Sequence, residues 1–207
     1  MGNSSSADSS LADTVTGLSN LEKQAIRDTW AWFKKQIRTS SVAIFVVLFL
    51  RYPEYQKMFP LFADHPTAEL PKNPKMLAHS LTFAYAITSI VDRPVCLLEF
   101  SLRPTLDEPE TVEELVRKLA TAHAPRSPTM STQFEHMGCA VVDVLGEKLG
   151  AAMTPTATAA WRKLFAFIVS TSAKVFEDAH VRNFSEVLAE TASSAVPGSA
   201  SGAVSPK

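Results

Sequence analysis

The chain has 207 residues, a formal net charge of −1 and no basic stripe, which argues against nucleic acid as a partner. Two cysteines, Cys96 and Cys139, do not make a disulfide framework, and a reducing interior is the default. The longest apolar run, Val42 to Leu50, is nine residues. A spanning helix needs ~20, so this run reads as a buried helix.

Residues 1–17 are rich in Ser, Ala, Asp and Thr, and Thr191 to Lys207 in Ser, Ala, Gly and Pro. Neither stretch buries enough apolar area to offset its chain entropy, so both read as disordered. A single domain over 18–182 remains, with 183–207 as a helix end and tail. The N-terminus shows no basic start or apolar run of a secretory signal. Met1-Gly2-Asn3-Ser4-Ser5-Ser6 fits M-G-x-x-x-[ST], the pattern for myristoylation of Gly2. One acyl chain gives only marginal membrane binding. Position 3 is Asn and no basic cluster follows, so the expectation is reversible, partial membrane association.

Glycine is scarce, and Val and Ile do not alternate with polar residues for long, so the chain reads as all-α. The first helix is expected over Ser19 to Ile37. Ser19 and Glu22 form a capping box, and Leu21, Ala25, Ile26, Trp30 and Phe33 make one apolar face. A second helix, apolar nearly all round, runs from Ser40 or Ser41 to Tyr52, before Pro53. A short turn, Pro53 to Met58, leads into Phe59-Pro60-Leu61-Phe62. After an irregular stretch with Pro66 and Pro71, a long helix spans Pro74 to Val91. It carries two stripes: Leu77, Leu81, Ala84, Tyr85 and Thr88, and His79, Phe83, Ala86 and Ile90. Pro94, Pro104 and Pro109 punctuate residues 93–111. A helix from Val112 to His123 follows, with Val112, Leu115, Val116 and Leu119 inward, and Pro125 and Pro128 end it. The next, Thr129 to Leu149, stops at Gly150. Thr154-Pro155 opens the last long helix, along which Trp161, Leu164, Phe165, Ile168 and Phe176 recur.

His79 and His123 each sit on the apolar side of a different helix. His123 follows Leu119 by one turn, and Phe83 follows His79 by one turn. Read alone, each is an ordinary hydrogen-bonded core or boundary histidine, and no HxxxH or CxxC spacing accompanies them. Taken together, two inward imidazoles across an apolar slot suit an iron held in haem. His65 lies in a Pro-rich loop, His136 is expected near solvent, and His180 is near the tail.

The order of residues from Ser19 to Phe176 resembles the globin family, in the character of its cytoglobin-like and globin-X-like animal members. Trp30, then Pro53, Phe59 and Phe62, then Ala78-His79, then Leu119 and His123, then Ala160-Trp161-Arg162-Lys163-Leu164 fall where that family places them. The resemblance implies a globin fold of about eight helices around haem b. It implies His123 as the proximal iron ligand and His79 as the distal residue or sixth ligand. Phe59 is implied to stack on the haem, Phe45 and Phe83 to line the distal pocket, and Phe62, Leu119, Phe134 and Met137 to complete the apolar wall. Arg126 is a candidate partner for a haem propionate.

The chain departs from the family pattern in three ways. Thr82 stands where many globins place a propionate-binding Lys or Arg, and the cysteine pair that some cytoglobin-like proteins oxidise is not reproduced. His79 and His123 are 44 residues apart, wider than the family's usual separation. Removing residues 93–104 (RPVCLLEFSLRP) would leave a normal helix-end loop, so this stretch is expected to be an insertion, structural or a product of splicing. The first functional reading is reversible binding of O2 or another diatomic gas such as NO. It places the protein in the cytoplasm, partly at the inner face of the plasma membrane, with an outside reductase and room for nitric oxide dioxygenase or nitrite reductase side activity. The second is a membrane-associated bis-histidine haem protein in electron transfer or redox signalling. The third is a haem-free helical interaction module.

Overall fold

The computed structural model describes residues 11–92, 104–126 and 130–194. Its α-helices are α1 (Asn20–Lys35), α2 (Ile37–Arg51), α3 (Pro53–Gln56), α4 (Pro74–Val91), α5 (Pro109–His123), α6 (Met130–Leu149) and α7 (Pro155–Ser194). Short 3-10 turns at Thr67–Lys72, Thr105–Asp107, Ala124–Arg126 and Gly150–Ala152 join them. The all-α expectation holds. Gly2 and its motif, and all of the expected insertion except Pro104, lie outside the described residues.

Local chemistry sets most of the boundaries. Ser19 and Glu22 close the expected capping box on α1. Asn73 caps α4 by accepting from the backbone N–H groups of Lys75 and Met76, with Pro74 at the first position. Gly150, at φ +54°, ends α6 in a conformation that favours glycine. Three boundaries differ from expectation. Only Gln36 separates α1 from α2, because Ser40 and Ser41 do not cap: they are buried inside α2, and Ser41 Oγ meets Ser80 Oγ of α4 at 3.1 Å. α5 begins a turn early, at Pro109. The stretch around Pro71 is a 3-10 helix closed by the Asn73 N–H on Leu70 O. Leu21 and Tyr85, both assigned to apolar stripes, are exposed.

α2 lies against α4 and α6, α6 runs along α7, and α7 also supports α1 and α5. The core joins Trp30 and Phe33 of α1 (ring centroids 4.2 Å apart) to Trp161 of α7, 5.5 Å from Trp30. α6 and α7 approach closely at Gly138, where an added Cβ would fall 2.6 Å from Cγ and 2.8 Å from Cβ of Phe165. Neither atom is the free end of a side chain. Gly138→Ala is therefore expected to destabilise the protein by about 1–3 kcal/mol, measured by urea unfolding, despite alanine's better helix propensity. A neutral or stabilising result would mean that the two helices separate without strain.

Ordered chain reaches back before residue 18, where the sequence reading had placed the end of a disordered segment. Ala12 bridges to Ser19, and Asp13 accepts from the N–H of Val15 and Thr16 and from Thr16 Oγ1. Lys23 is buried on α1 and pairs with Asp13 at 3.0 Å, so a cation on the core side finds its counterion in this turn. Burial pushes the Asp13 carboxyl up, but hydrogen bonds from Thr16 and Lys23 and the Lys23 charge outweigh it and hold the group below its ordinary 3.8. Burial likewise raises Glu22, and Lys163 and Ser19 outweigh it, holding it below 4.5. A carboxyl lowered on folding contributes stability that is full above its unfolded value and lost as pH falls through the folded one. Stability is expected to fall as pH drops from about 4.5, and Asp13→Asn with Glu22→Gln to flatten that slope while weakening the protein at neutral pH. Denaturant titrations at stepped pH check this; an unchanged slope would refute it.

Candidate functional site

α5 carries two adjacent apolar stripes. Val112, Val116 and Ala120 are buried. Leu115, Leu119 and His123, one turn apart in succession, are only half-buried. Leu115 and Leu119, expected to face inward, are less covered than that: the core covers Ala120 instead and leaves their stripe partly open. His123 is the last residue of the helix, and its Nδ1 lies 2.8 Å from the carbonyl oxygen of Leu119. A carbonyl can only accept, so Nδ1 carries the proton and Nε2 is left with an in-plane lone pair. The hydrogen bond thus fixes both the tautomer and the ring's orientation. Phe134 of α6 meets the ring edge-on at 5.3 Å and itself abuts Phe176 of α7 at 5.7 Å.

His79 of α4 is half-buried among aromatic rings from other elements. Its centroid lies 4.9 Å from Phe59, 5.2 Å from Phe45 and 6.1 Å from Phe62. Phe45, on central α2 and 2% exposed, also meets Phe83 edge-on at 5.5 Å and Phe59 at 6.1 Å. The structure therefore brings the expected distal residues into one cluster. The corner bearing Phe59 and Phe62 is held by a residue that the sequence reading did not single out. Gln56 is buried, and its Nε2 donates to the carbonyls of Phe62 (3.0 Å), Ala63 (3.3 Å) and His65 (2.7 Å). Its Oε1 accepts from Thr67 Oγ1 at 2.9 Å. A glutamine beside aromatic residues carries no motif, and its role follows only from the path of the chain.

Met137 and Phe134 are partly buried against the core, and Leu119 is half-buried beside His123. The side chain of Arg126 lies outside the described residues. Thr82 is exposed, with its hydroxyl donating to Ala78 O. His136 departs from its expected place near solvent: it is half-buried on α6, with Tyr52 and Tyr55 stacked beside it. Among the described residues no helix is long and apolar enough to cross a membrane.

The Globin family model matches residues 42–172, a span that includes both histidines and the rings around them. The chain belongs to the globin family. This globin is 26% identical to Cytoglobin-1 of Oryzias latipes over 162 residues, covering 78% of this chain and 85% of the relative. It is 25% identical to Cytoglobin-2 of Danio rerio over 150 residues, covering 72% and 77%. Its fold is similar to that in the crystal structure of a hexacoordinated heme protein from an anhydrobiotic tardigrade at pH 4. That match has a TM-score of 0.68 at 15% identity and covers 80% of this globin and 99% of the other chain.

The residues present fit a haem on two grounds. Phe59 and Phe83, in the ring cluster about His79, and Phe134, against His123, pack on the core yet stay partly buried. They offer the apolar surface that a flat macrocycle needs. The donor set points the same way: the bond from His123 Nδ1 to Leu119 O leaves the Nε2 lone pair as a donor of the type that binds haem iron.

Proposed function

We propose that this globin binds haem b and, through it, O2 or another diatomic gas such as NO, reversibly. His123 is the proximal ligand and His79 the residue on the other face. The observation that carries this reading is the hydrogen bond from His123 Nδ1 to Leu119 O, which leaves Nε2 as a ligand atom on a half-buried apolar stripe. With haem bound, Phe59 would pack against it, Phe45, Phe62 and Phe83 would line the side of His79, and Leu119, Phe134 and Met137 would line the side of His123. Arg126 is assigned to a propionate. When bound, the haem iron supplies the coordination position that the gas takes. His79 supplies an N–H toward a polarised ligand, and the rings around it exclude water. An outside reductase would be the source of electrons for the bound group, and this reading puts the protein in the cytoplasm, with lipidated Gly2 bringing part of it to the membrane.

One observation favours a second reading. Three phenyl rings lie within 6.1 Å of His79, and so close a surround supports a reading in which the imidazole itself is the sixth ligand. That arrangement suits a membrane-associated bis-histidine protein in electron transfer or redox signalling.

Visible spectra and gas kinetics of His79→Leu separate the two. Under the gas-binding reading the variant loses a hydrogen bond to a polarised ligand, worth about 1.5–3 kcal/mol, and gas dissociation speeds up about 10–100-fold. If the wild-type ferrous protein shows sharp bands that the variant abolishes, the bis-histidine reading gains. A purified, reconstituted protein with no haem band would remove both.

A further inference from the structure

Three rings from two distant parts of the chain meet at the junction of α2, α3 and α6. Tyr52 joins α2 to α3, Tyr55 lies on α3, and His136 on α6. Tyr52 lies face to face with His136, with centroids 3.9 Å apart and planes within 2°, and stacks on Tyr55 at 5.1 Å. The Tyr55 hydroxyl is 2.8 Å from Nδ1 of His136. A phenol O–H is the better donor and an imidazole nitrogen the better acceptor, so Tyr55 donates and His136 holds its proton on Nε2. Burial above all, with the charge of Glu54 and Tyr52 beside it, pushes the Tyr55 phenol up. Packing alone would need neither the hydroxyl nor the base.

We infer that Tyr55 and His136 form a redox-active pair, in which Tyr55 gives up one electron to a strong oxidant while its phenolic proton passes to Nδ1 of His136. The O–H bond breaks and an N–H bond forms, leaving a neutral tyrosyl radical beside an imidazolium. Oxidising a phenol without moving its proton creates a strongly acidic radical cation; a base at hydrogen-bond distance removes that cost. The stacked Tyr52 ring faces the imidazolium and stabilises it. Tyr52 is half-buried where Tyr55 is buried, so it is the ring through which a dissolved reductant of the ascorbate class returns the electron, as the proton goes back from His136. The matching oxidant is hydrogen peroxide. One peroxide takes two electrons, through two turns of the pair, and two protons from the reductant and solvent to give two waters, while the phenolic proton only shuttles between Tyr55 and His136. Tyr55 lies four residues before Phe59, and His136 is next in the chain to Met137, so the pair and the haem wall assigned above share two stretches of chain. The peroxide route rests on that assignment; the chemistry of the pair does not.

The chain has only one other tyrosine, Tyr85, which is exposed, so Tyr85→Phe leaves the two stacked tyrosines alone. The full-length, haem-reconstituted Tyr85→Phe protein is oxidised in one arm by photogenerated ruthenium(III) tris-bipyridine and in the other by hydrogen peroxide. Radicals are read by electron paramagnetic resonance with ring-deuterated tyrosine, and their formation is timed in H2O and D2O. The expected result with ruthenium is a tyrosyl signal that the near-isosteric Tyr55→Phe diminishes strongly. His136→Gln keeps an acceptor but no base, and should slow formation about 100-fold, the scale of one general base, and abolish the isotope effect. Circular dichroism confirms that each variant is folded. An undiminished tyrosyl signal in Tyr55→Phe, or an unchanged rate and isotope effect in His136→Gln, overturns the proposal. A signal with ruthenium but none with peroxide upholds the pair and counts against the haem assignment.

Discussion

Replacing His123 by glycine is expected to cut haem affinity by more than about 100-fold, and free imidazole is expected to restore the spectrum. The ligand atom is separable from the fold. His123 closes α5, and its ring is half-buried rather than part of the sealed core. Among the described residues it bonds to its own helix at Leu119 O and meets the edge of Phe134. Glycine is well tolerated at a helix C-terminus, so helical circular dichroism should stay near that of the parent. Removing the imidazole leaves a gap that a small, freely diffusing base can fill, which loss of a purely structural residue would not allow. Reconstitution titrations followed in the visible region measure both effects. Full haem retention with unchanged bands in His123→Gly would place the iron ligand elsewhere.

The sequence read well where local chemistry and long-range packing agree. The capping box at Ser19, the Asn73-Pro74 start of α4 and the glycine stop at Gly150 lie within a few residues of the ends they set. The stripe of His79 and Phe83, and the step from Leu119 to His123, follow from helical periodicity. The aromatic cluster around His79 was legible only through resemblance, because no periodicity within one helix tells Phe45 of α2 that it will meet Phe83 of α4. Hidden features are those in which tertiary contact overrides a local cue. Ser40 and Ser41 look like caps but are buried where α2 meets α4, and the bond from Ser41 to Ser80 spans 39 residues. The Tyr52–Tyr55–His136 stack and the ion pair of Lys23 with Asp13 unite residues whose types announce a surface. A buried cation reads as exposed until its counterion is located.

Trp161→Ala is expected to cost about 3–5 kcal/mol, a large share of the roughly 5–15 kcal/mol that holds a domain folded. Trp161 is fully buried at the joint of α7 and α1, with Trp30 at 5.5 Å and Phe165 at 6.1 Å. Its Nε1 donates to Thr29 Oγ1 at 2.8 Å, and that hydroxyl donates in turn to Ala25 O at 2.8 Å. The two contributions can be separated. Trp161→Phe keeps most of the apolar contact, and Thr29 still has its helix carbonyl, so the loss should be smaller than for alanine. Thr29→Val strands the indole N–H in the core, at about 1–3 kcal/mol. Once Phe stands at 161 no N–H is left to strand, so Trp161→Phe with Thr29→Val should lose less than the sum of the single changes by about 0.5 kcal/mol or more. Urea unfolding of the four proteins measures the coupling; additivity within about 0.3 kcal/mol would show that the hydrogen bond contributes nothing beyond packing. The joint is built from residues other than His79, His123 and the rings around them. Each variant that remains folded without denaturant should therefore keep the parent's haem spectrum, which distinguishes loss of scaffold from loss of site.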